Sequence, residues 1–231
     1  LQAQLAHAQR LSAMGRMVAS LAHQIRTPLS AAILYGGHLS QPDLDEELRQ
    51  RCASRLMSRL THLESQVRDM LTFARGETRL AEALSSDRIE EGLRAAVDGL
   101  NLADNQQVEL VAHGVPLPLM CNQEALVGAC MNLVNNSLEA GAGRVEISLT
   151  GCQDELVIAV SDNGPGFPGH QAEQLMEAFY TTKSHGTGLG LAVVQAVVKA
   201  HNGQFSLAPT PGGGASASVR LPAARNPKTT S

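Results

Sequence analysis

The chain has 231 residues, 43% of them hydrophobic and 17% charged, which describes a globular protein of one or two domains with enough apolar side chain for a core. A net charge of −4 argues against nucleic acid as the main partner, and no stretch approaches the roughly 20 apolar residues of a membrane span. Aromatic residues are only 3% with no Trp, which suits helical packing by Leu, Met and Ala.

Residues 1 to about 40 read as one long helix. Leu11, Met14, Val18, Leu21 and Ile25 recur in steps of three and four, the apolar seam of a helical bundle. His23 falls opposite that seam, where a nucleophile that another domain must reach belongs. Thr27, four residues on, shares its helical face. Pro28 cannot donate to the carbonyl of Gln24, so a kink beside His23 is expected, at about 3 kcal/mol. Ser40-Gln41-Pro42-Asp43 is a turn, with Asp43 as a possible cap and Glu46 and Glu47 suited to a first helical turn. A second helix follows to about residue 75, with Leu56, Leu60, Leu63, Val67, Met70 and Ala74 on its seam. Two antiparallel helices bury little alone. Pairing two copies into a four-helix bundle solves that, so residues 1–78 are expected to form a homodimeric domain.

Gly76-Glu77-Thr78 begins a linker, and the pattern then changes. Asp87 to Leu100 reads as a helix, and Val108 to Ala112 and Leu119 to Cys121 as short strands. Asn122 caps a helix to about Ala140. Arg144 to Thr150 and Leu156 to Ser161 alternate like paired strands. Residues 163–187 lack steady periodicity and are rich in Gly, Pro and His, so they read as a mobile lid over a ligand. Gly188 to His201 reads as a helix ended by Asn202-Gly203. Phe205 to Ala208 and Ala215 to Leu221 complete the strands. Helices over one face of a mixed sheet make residues 85–222 an α+β sandwich. Residues 223–231 read as a disordered tail. The fold class is therefore a helical hairpin followed by an α+β sandwich.

Three groups of residues carry chemistry. Asp162 ends an apolar strand and precedes glycines; its carboxylate could accept from the exocyclic amine of adenine, with Gly164 and Gly166 leaving room for the base. Asp-Asn-Gly is also a common turn sequence. Asn132 and Asn136 stand four apart on one helix, and carboxamide oxygens are hard ligands suited to Mg²⁺ bound together with phosphates. A hydrated helix face is the plainer reading. Gly186, Thr187, Gly188, Leu189 and Gly190 precede a helix, whose N-terminus and backbone N–H groups make an anion site. No strand leads into them, so a Rossmann reading fails. Thr182 and Lys183 could help hold phosphates or the lid, or Lys183 is simply solvated. His7, His38, His62, His113, His170, His185 and His201 read as solvent-facing or incidental. Cys52, Cys121, Cys130 and Cys152 lack Cys-x-x-Cys spacing and read as reduced, mostly buried residues. No signal peptide is visible, so a cytoplasmic location is expected. Leu1 is already helical in pattern, as if a sensory region preceded it.

The run His23-Gln24-Ile25-Arg26-Thr27-Pro28-Leu29 resembles the phospho-accepting box of two-component sensor histidine kinases. Asn132-Leu133-Val134-Asn135-Asn136 resembles the N box of that family. Asp162-Asn163-Gly164-Pro165-Gly166 resembles its first glycine box, Phe179-Tyr180-Thr181-Thr182-Lys183 its F box, and Gly186-Thr187-Gly188-Leu189-Gly190-Leu191 its second glycine box. Five boxes in the family's order span residues 23 to 191. The box variant, with Met14-Gly15-Arg16-Met17 before it, is most similar to soluble sensor kinases that regulate flagellar genes.

The resemblance implies that the C-terminal domain binds ATP and Mg²⁺, with Asn136 on the metal and Asn132 supporting it. It implies that His23 takes the γ-phosphoryl group and passes it to an aspartate of a response regulator receiver domain. Thr27 would position water for dephosphorylating that partner, or would simply pack before Pro28. Gln24 departs from the family, which usually has Glu or Asp there; an amide cannot act as a general base, though its oxygen can still orient the imidazole. Two rivals remain. Gyrase-like ATPases of the same superfamily carry a glutamate base where this chain has Asn132. A scaffold, or mainly a phosphatase, is prompted by Gln24.

Overall fold

The computed structural model describes residues 22, 24–75, 82–152, 154–183 and 186–224. Two compact units emerge: residues 1–76 with 181–189, and residues 77–180 with 190–231.

In the first unit, helix α1 (24–39) runs through Pro28, which is buried, without interruption. The Ser40 and Gln41 N–H groups close the turn on the Gly37 and His38 carbonyls. Helix α2 (Glu46–Arg75) is then capped by Asp45, not Asp43. Its Oδ2 accepts from the N–H groups of Glu47 (3.1 Å) and Leu48 (3.3 Å). The helix starts at Glu46, so the capping position is one residue earlier, beyond the reach of Asp43. Ala32, Cys52, Met70 and Phe73 are buried. Gln66 is buried as well, its Nε2 3.1 Å from His62 Nε2. His62 is thus partnered rather than incidental. Two of the expected seam residues, Leu60 (41%) and Val67 (40%), stay well exposed. The apolar residues of α2 therefore form two faces, only one of which the single chain covers.

In the second unit a five-stranded sheet is ordered β2-β4-β5-β7-β6. Its strands are β2 (Gln107–Gly114), β4 (Arg144–Cys152), β5 (Glu155–Asp162), β6 (Gln204–Pro209) and β7 (Ala215–Pro222). The β2–β4 pair is parallel and the others are antiparallel. Val145, Ile147 and Leu149 of β4 are buried, as are Leu156, Ile158 and Val160 of β5 and Ala217, Val219 and Leu221 of β7. That strict alternation turns one face to a core and the other outward. Helices α3 (Ser86–Asp98), α4 (Gln123–Glu139) and α6 (Gly190–Ala200) lie side by side on the sheet, α4 in the middle. Ile89, Leu93, Leu126, Val134 and Val194 fill the space between.

Of the first expected helix, Leu11, Met14, Val18 and Leu21 lie outside the described residues. The periodic elements of this second unit fall where the sequence places them. A small sheet does not: β1 (Glu82–Ser85) pairs antiparallel with β3 (Pro118–Cys121). The segment from 163 also holds a short 3₁₀ turn (Gly169–Gln171) and helix α5 (Ala172–Leu175). The expected tail begins later than Ala223, because the Ala223 and Ala224 N–H groups donate to the Asp154 and Pro118 carbonyls at 2.7 Å. Residues 225–231 lie outside the described residues.

His201 is the largest departure. It is only 4% exposed. Its Nε2 accepts from the Asn122 N–H at 2.9 Å, so Nδ1 must carry the proton, and it donates to the Val197 carbonyl at 2.7 Å. Burial pushes its pKa down from 6.5. This neutral imidazole joins the end of α6 to the start of α4. His38 is half-buried, His113 and His170 are exposed, and His7 and His185 lie outside the described residues.

Candidate functional site

Asp162, at the end of β5, is held from three directions. Its Oδ1 accepts from the Gly164 N–H (2.8 Å) and the Ala215 N–H (3.2 Å). Its Oδ2 accepts from the Ser137 hydroxyl at 2.7 Å. Two backbone amides and one buried hydroxyl fix the carboxylate plane without a cation, as suits a group that must present an acceptor to an incoming donor. Asn163 does a different job: its Oδ1 accepts from the Gly143 (3.0 Å) and Arg144 (2.8 Å) N–H groups, strapping the turn to the start of β4.

Glycines clear the space around Asp162. A Cβ on Gly164 would lie 3.0 Å from Asp162 Oδ1 and 3.5 Å from Ala142 Cβ. Gly166 has φ +67°, and a Cβ there would meet the Gly214 carbonyl at 2.6 Å. Gly214 (φ +93°) approaches so closely that its Cβ would sit 1.9 Å from the Asp162 carbonyl oxygen. Gly214, Ser137 and the Ala215 amide belong to this cradle, although sequence reading missed them. Signals existed only weakly, in the Gly212-Gly213-Gly214 run before β7 and in a serine on the apolar side of α4.

Helix α4 carries the amide pair. Its N-cap is Asn122, whose Oδ1 accepts from the Ala125 N–H at 3.0 Å, as the sequence predicts. Asn132 and Asn136 are half-buried and one turn apart. A Cβ on Gly190 would lie 3.4 Å from Asn136 Nδ2, an ordinary packing distance, so the first residue of α6 stands directly beside that amide. Ser137 follows Asn136 directly, so α4 itself connects the amide to the Asp162 carboxylate. The donor set, neutral carboxamides with no cluster of three His, Cys, Asp or Glu among the described residues, fits a hard cation shared with phosphate oxygens rather than a protein-only metal cage.

The other candidates lie in the first unit. Residues 181–189 make local bonds of their own. Thr181 Oγ1 accepts from the Lys183 N–H (3.1 Å) and Thr187 Oγ1 from the Leu189 N–H (3.2 Å). Gly186 must be small, since a Cβ would strike Thr181 Oγ1 at 2.6 Å, and Gly188 has φ +65°. Thr182 is exposed, Lys183 half-buried and Leu189 buried. Gln24 Nε2 donates to the Gly186 carbonyl at 2.8 Å, while its Oε1 is buried without a hydrogen-bond partner. A glutamate could not donate that bond. Thr27 is exposed on α1, and His23 lies outside the described residues.

The cysteines are free thiols: Cys52, Cys121 and Cys130 are buried and Cys152 is exposed. Burial pushes the Cys130 thiol up to about 12 and raises Cys121 as well, so neither offers a thiolate near neutral pH. A cleft of about 480 Å³ opens beside β1, α3 and the start of α4, lined by Glu82, Arg88, Gly92, Asn122 and Gln123 among others. It shares no residue with the Asp162 cradle.

Residues 13–79 match the His kinase A phospho-acceptor domain, and residues 121–225 match the histidine kinase-, DNA gyrase B- and HSP90-like ATPases. The chain belongs to the histidine kinase family. The sensor protein kinase FleS of Pseudomonas aeruginosa is 50% identical over 228 residues, 96% of this chain and 55% of that protein. The sensor protein FixL of Bradyrhizobium diazoefficiens is 32% identical over 97% of this chain and 46% of its own length. This histidine kinase chain thus spans about half the length of those relatives. Among solved structures, the Acinetobacter baumannii histidine kinase AdeS aligns with a TM-score of 0.60 at 22% identity, over 88% of this chain and 98% of that one. The histidine kinase ThkA, in complex with the response regulator protein TrrA, aligns at 0.62 and 20% identity, over 94% of this chain and 64% of that one. These two likenesses show the fold. No helix among the described residues is long and apolar enough to cross a membrane.

Proposed function

We propose that the chain is the catalytic core of a cytoplasmic sensor histidine kinase that phosphorylates His23 from ATP and passes the phosphoryl group to an aspartate of a response regulator receiver domain. The Asp162 cradle carries this reading. Its carboxylate is held by donors, keeps acceptor capacity, and is faced with glycines, which suits the exocyclic amine of adenine. Asn136, supported by Asn132, would hold Mg²⁺. The ion, when bound, would offset phosphate charge. Thr182, Lys183 and the backbone N–H groups of Gly186, Thr187, Gly188, Leu189 and Gly190 supply phosphate donors by motif, with α6 beginning at Gly190.

The acceptor step needs little from the protein beyond positioning. One imidazole nitrogen of His23 uses its lone pair on the γ-phosphorus as the bond to the ADP oxygen breaks; the other carries a proton that is lost to water afterwards. Gln24 cannot take that proton. Its amide N–H instead holds the Gly186 carbonyl. Thr27 would position water when a partner's phospho-aspartate is hydrolysed. A homodimer, formed by pairing α1–α2 hairpins, is part of the proposal. So is a role in flagellar gene control, supported by the box variant and by the 50% identity to FleS.

The test uses γ-labelled ATP and two variants. His23→Ala is expected to lose acid-labile label while keeping ATP affinity. Asp162→Ala is expected to weaken ATP binding by about tenfold or more. Label retained without His23, or unchanged affinity without Asp162, would overturn the respective assignment.

A further inference from the structure

We infer that Ser137 is a positioning residue that sets the base specificity of the nucleotide site, an inference that rests on reading Asp162 as the adenine contact. A carboxylate offers about four acceptor lobes. Both lobes of Oδ1 are taken, by the Gly164 and Ala215 N–H groups at 2.8 and 3.2 Å. On Oδ2 the Ser137 hydroxyl takes one at 2.7 Å. One directed acceptor remains, on Oδ2. Ser137 is 8% exposed, so water does not compete freely for its proton. A helical serine commonly returns its hydroxyl to its own backbone; here the proton goes across to β5 instead.

A single remaining lobe discriminates between purines. Adenine carries an amine at C6 and donates into it. Hypoxanthine and guanine carry a carbonyl oxygen at C6, which would meet a carboxylate lone pair with no proton between them. Without Ser137, Oδ2 gains a second open lobe. A water can then donate to Oδ2 with one hydrogen and to a C6 carbonyl with the other, relieving the repulsion. The hydroxyl therefore acts against the wrong base more than in favour of the right one. It also ties the base contact to α4, one residue after Asn136, so that base and metal groups share one rigid element.

The experiment titrates ATP and inosine triphosphate, each with Mg²⁺, against the full chain, Ser137→Ala and Ser137→Thr. A ratio of two affinities does not depend on the folded fraction, and Ser137→Cys is read the same way if the alanine variant does not fold. Wild type is expected to prefer ATP. Ser137→Ala is expected to lower that preference by about five- to twentyfold, mainly through tighter inosine triphosphate binding, and Ser137→Thr to keep it. An unchanged ratio in Ser137→Ala, even with both affinities reduced, would overturn the inference while leaving the ATP reading intact. A wild type that binds neither nucleotide would overturn both.

Discussion

His201 shows how much one buried side chain can join. It accepts from the Asn122 N–H and donates to the Val197 carbonyl, so it needs to be neutral on Nε2 and protonated on Nδ1. A second proton would leave Nε2–H facing the Asn122 N–H, inside the protein. Burial depresses the folded pKa below the ordinary 6.5. As pH falls through 6.5 the unfolded chain takes up that proton before the folded chain does, so stability is full above 6.5 and is lost as pH drops toward and through the folded value. The urea midpoint is expected to fall between pH 7 and pH 5. His201→Gln can reproduce both hydrogen bonds without titrating. It should stay within about 1 kcal/mol of wild type at pH 7 and show a shallower acid loss. An equally steep loss in His201→Gln would place the pH sensitivity elsewhere. Neither His201 nor Ser137 was legible as a site residue. His201 has one partner four residues back in its own helical turn, but the other lies 79 residues away, and the partner of Ser137 lies 25 residues away.

Among the elements, those whose periodicity is driven by a core could be read directly. The alternation of Val145, Ile147 and Leu149, or of Leu156, Ile158 and Val160, leaves little choice about face or state. The N-cap at Asn122 was legible because capping is a local hydrogen bond. Strand β1 was not, because Glu82-Ala83-Leu84-Ser85 has no alternating core of its own and is strand only through its pairing with β3. The loop before β7 is a similar case: nothing local in Gly212-Gly213-Gly214 points to a site, yet Gly214 forms one wall of the Asp162 cradle. Gly214→Ala would put a methyl at a positive φ and within 1.9 Å of the Asp162 carbonyl oxygen. Backbone rather than a flexible side chain must move. The expected result is a destabilisation of about 1–3 kcal/mol by chemical denaturation, with weakened ATP binding. A neutral effect on both would mean that the cradle yields easily.

At the scale of the whole molecule, the helical hairpin leaves a surface that a single chain does not cover. Leu29, Ile33 and Leu34 on α1 are 42%, 67% and 60% exposed. Leu48, Met57, Leu60, Val67 and Leu71 on α2 range from 40% to 61%. Leu29 and Ile33 are four apart, and Met57, Leu60, Val67 and Leu71 recur in steps of three, seven and four, so each helix presents a stripe rather than scattered residues. Covering side chains that are half exposed gains about 1 kcal/mol each, and several must be covered together to offset the cost of association. A two-fold pairing of hairpins into four helices does that, because each stripe then faces a copy of the same surface. The full chain is therefore expected to sediment as a dimer at micromolar concentration. Ile33→Glu and Met57→Glu place a charge at the most exposed position of each stripe, where it is hydrated in the monomer and would be buried in the dimer. Both are expected to shift the chain to monomer with helical content retained, while nucleotide binding at the Asp162 cradle persists. A wild-type chain that stays monomeric, or variants that remain dimeric, would show that these stripes are not the dimer surface.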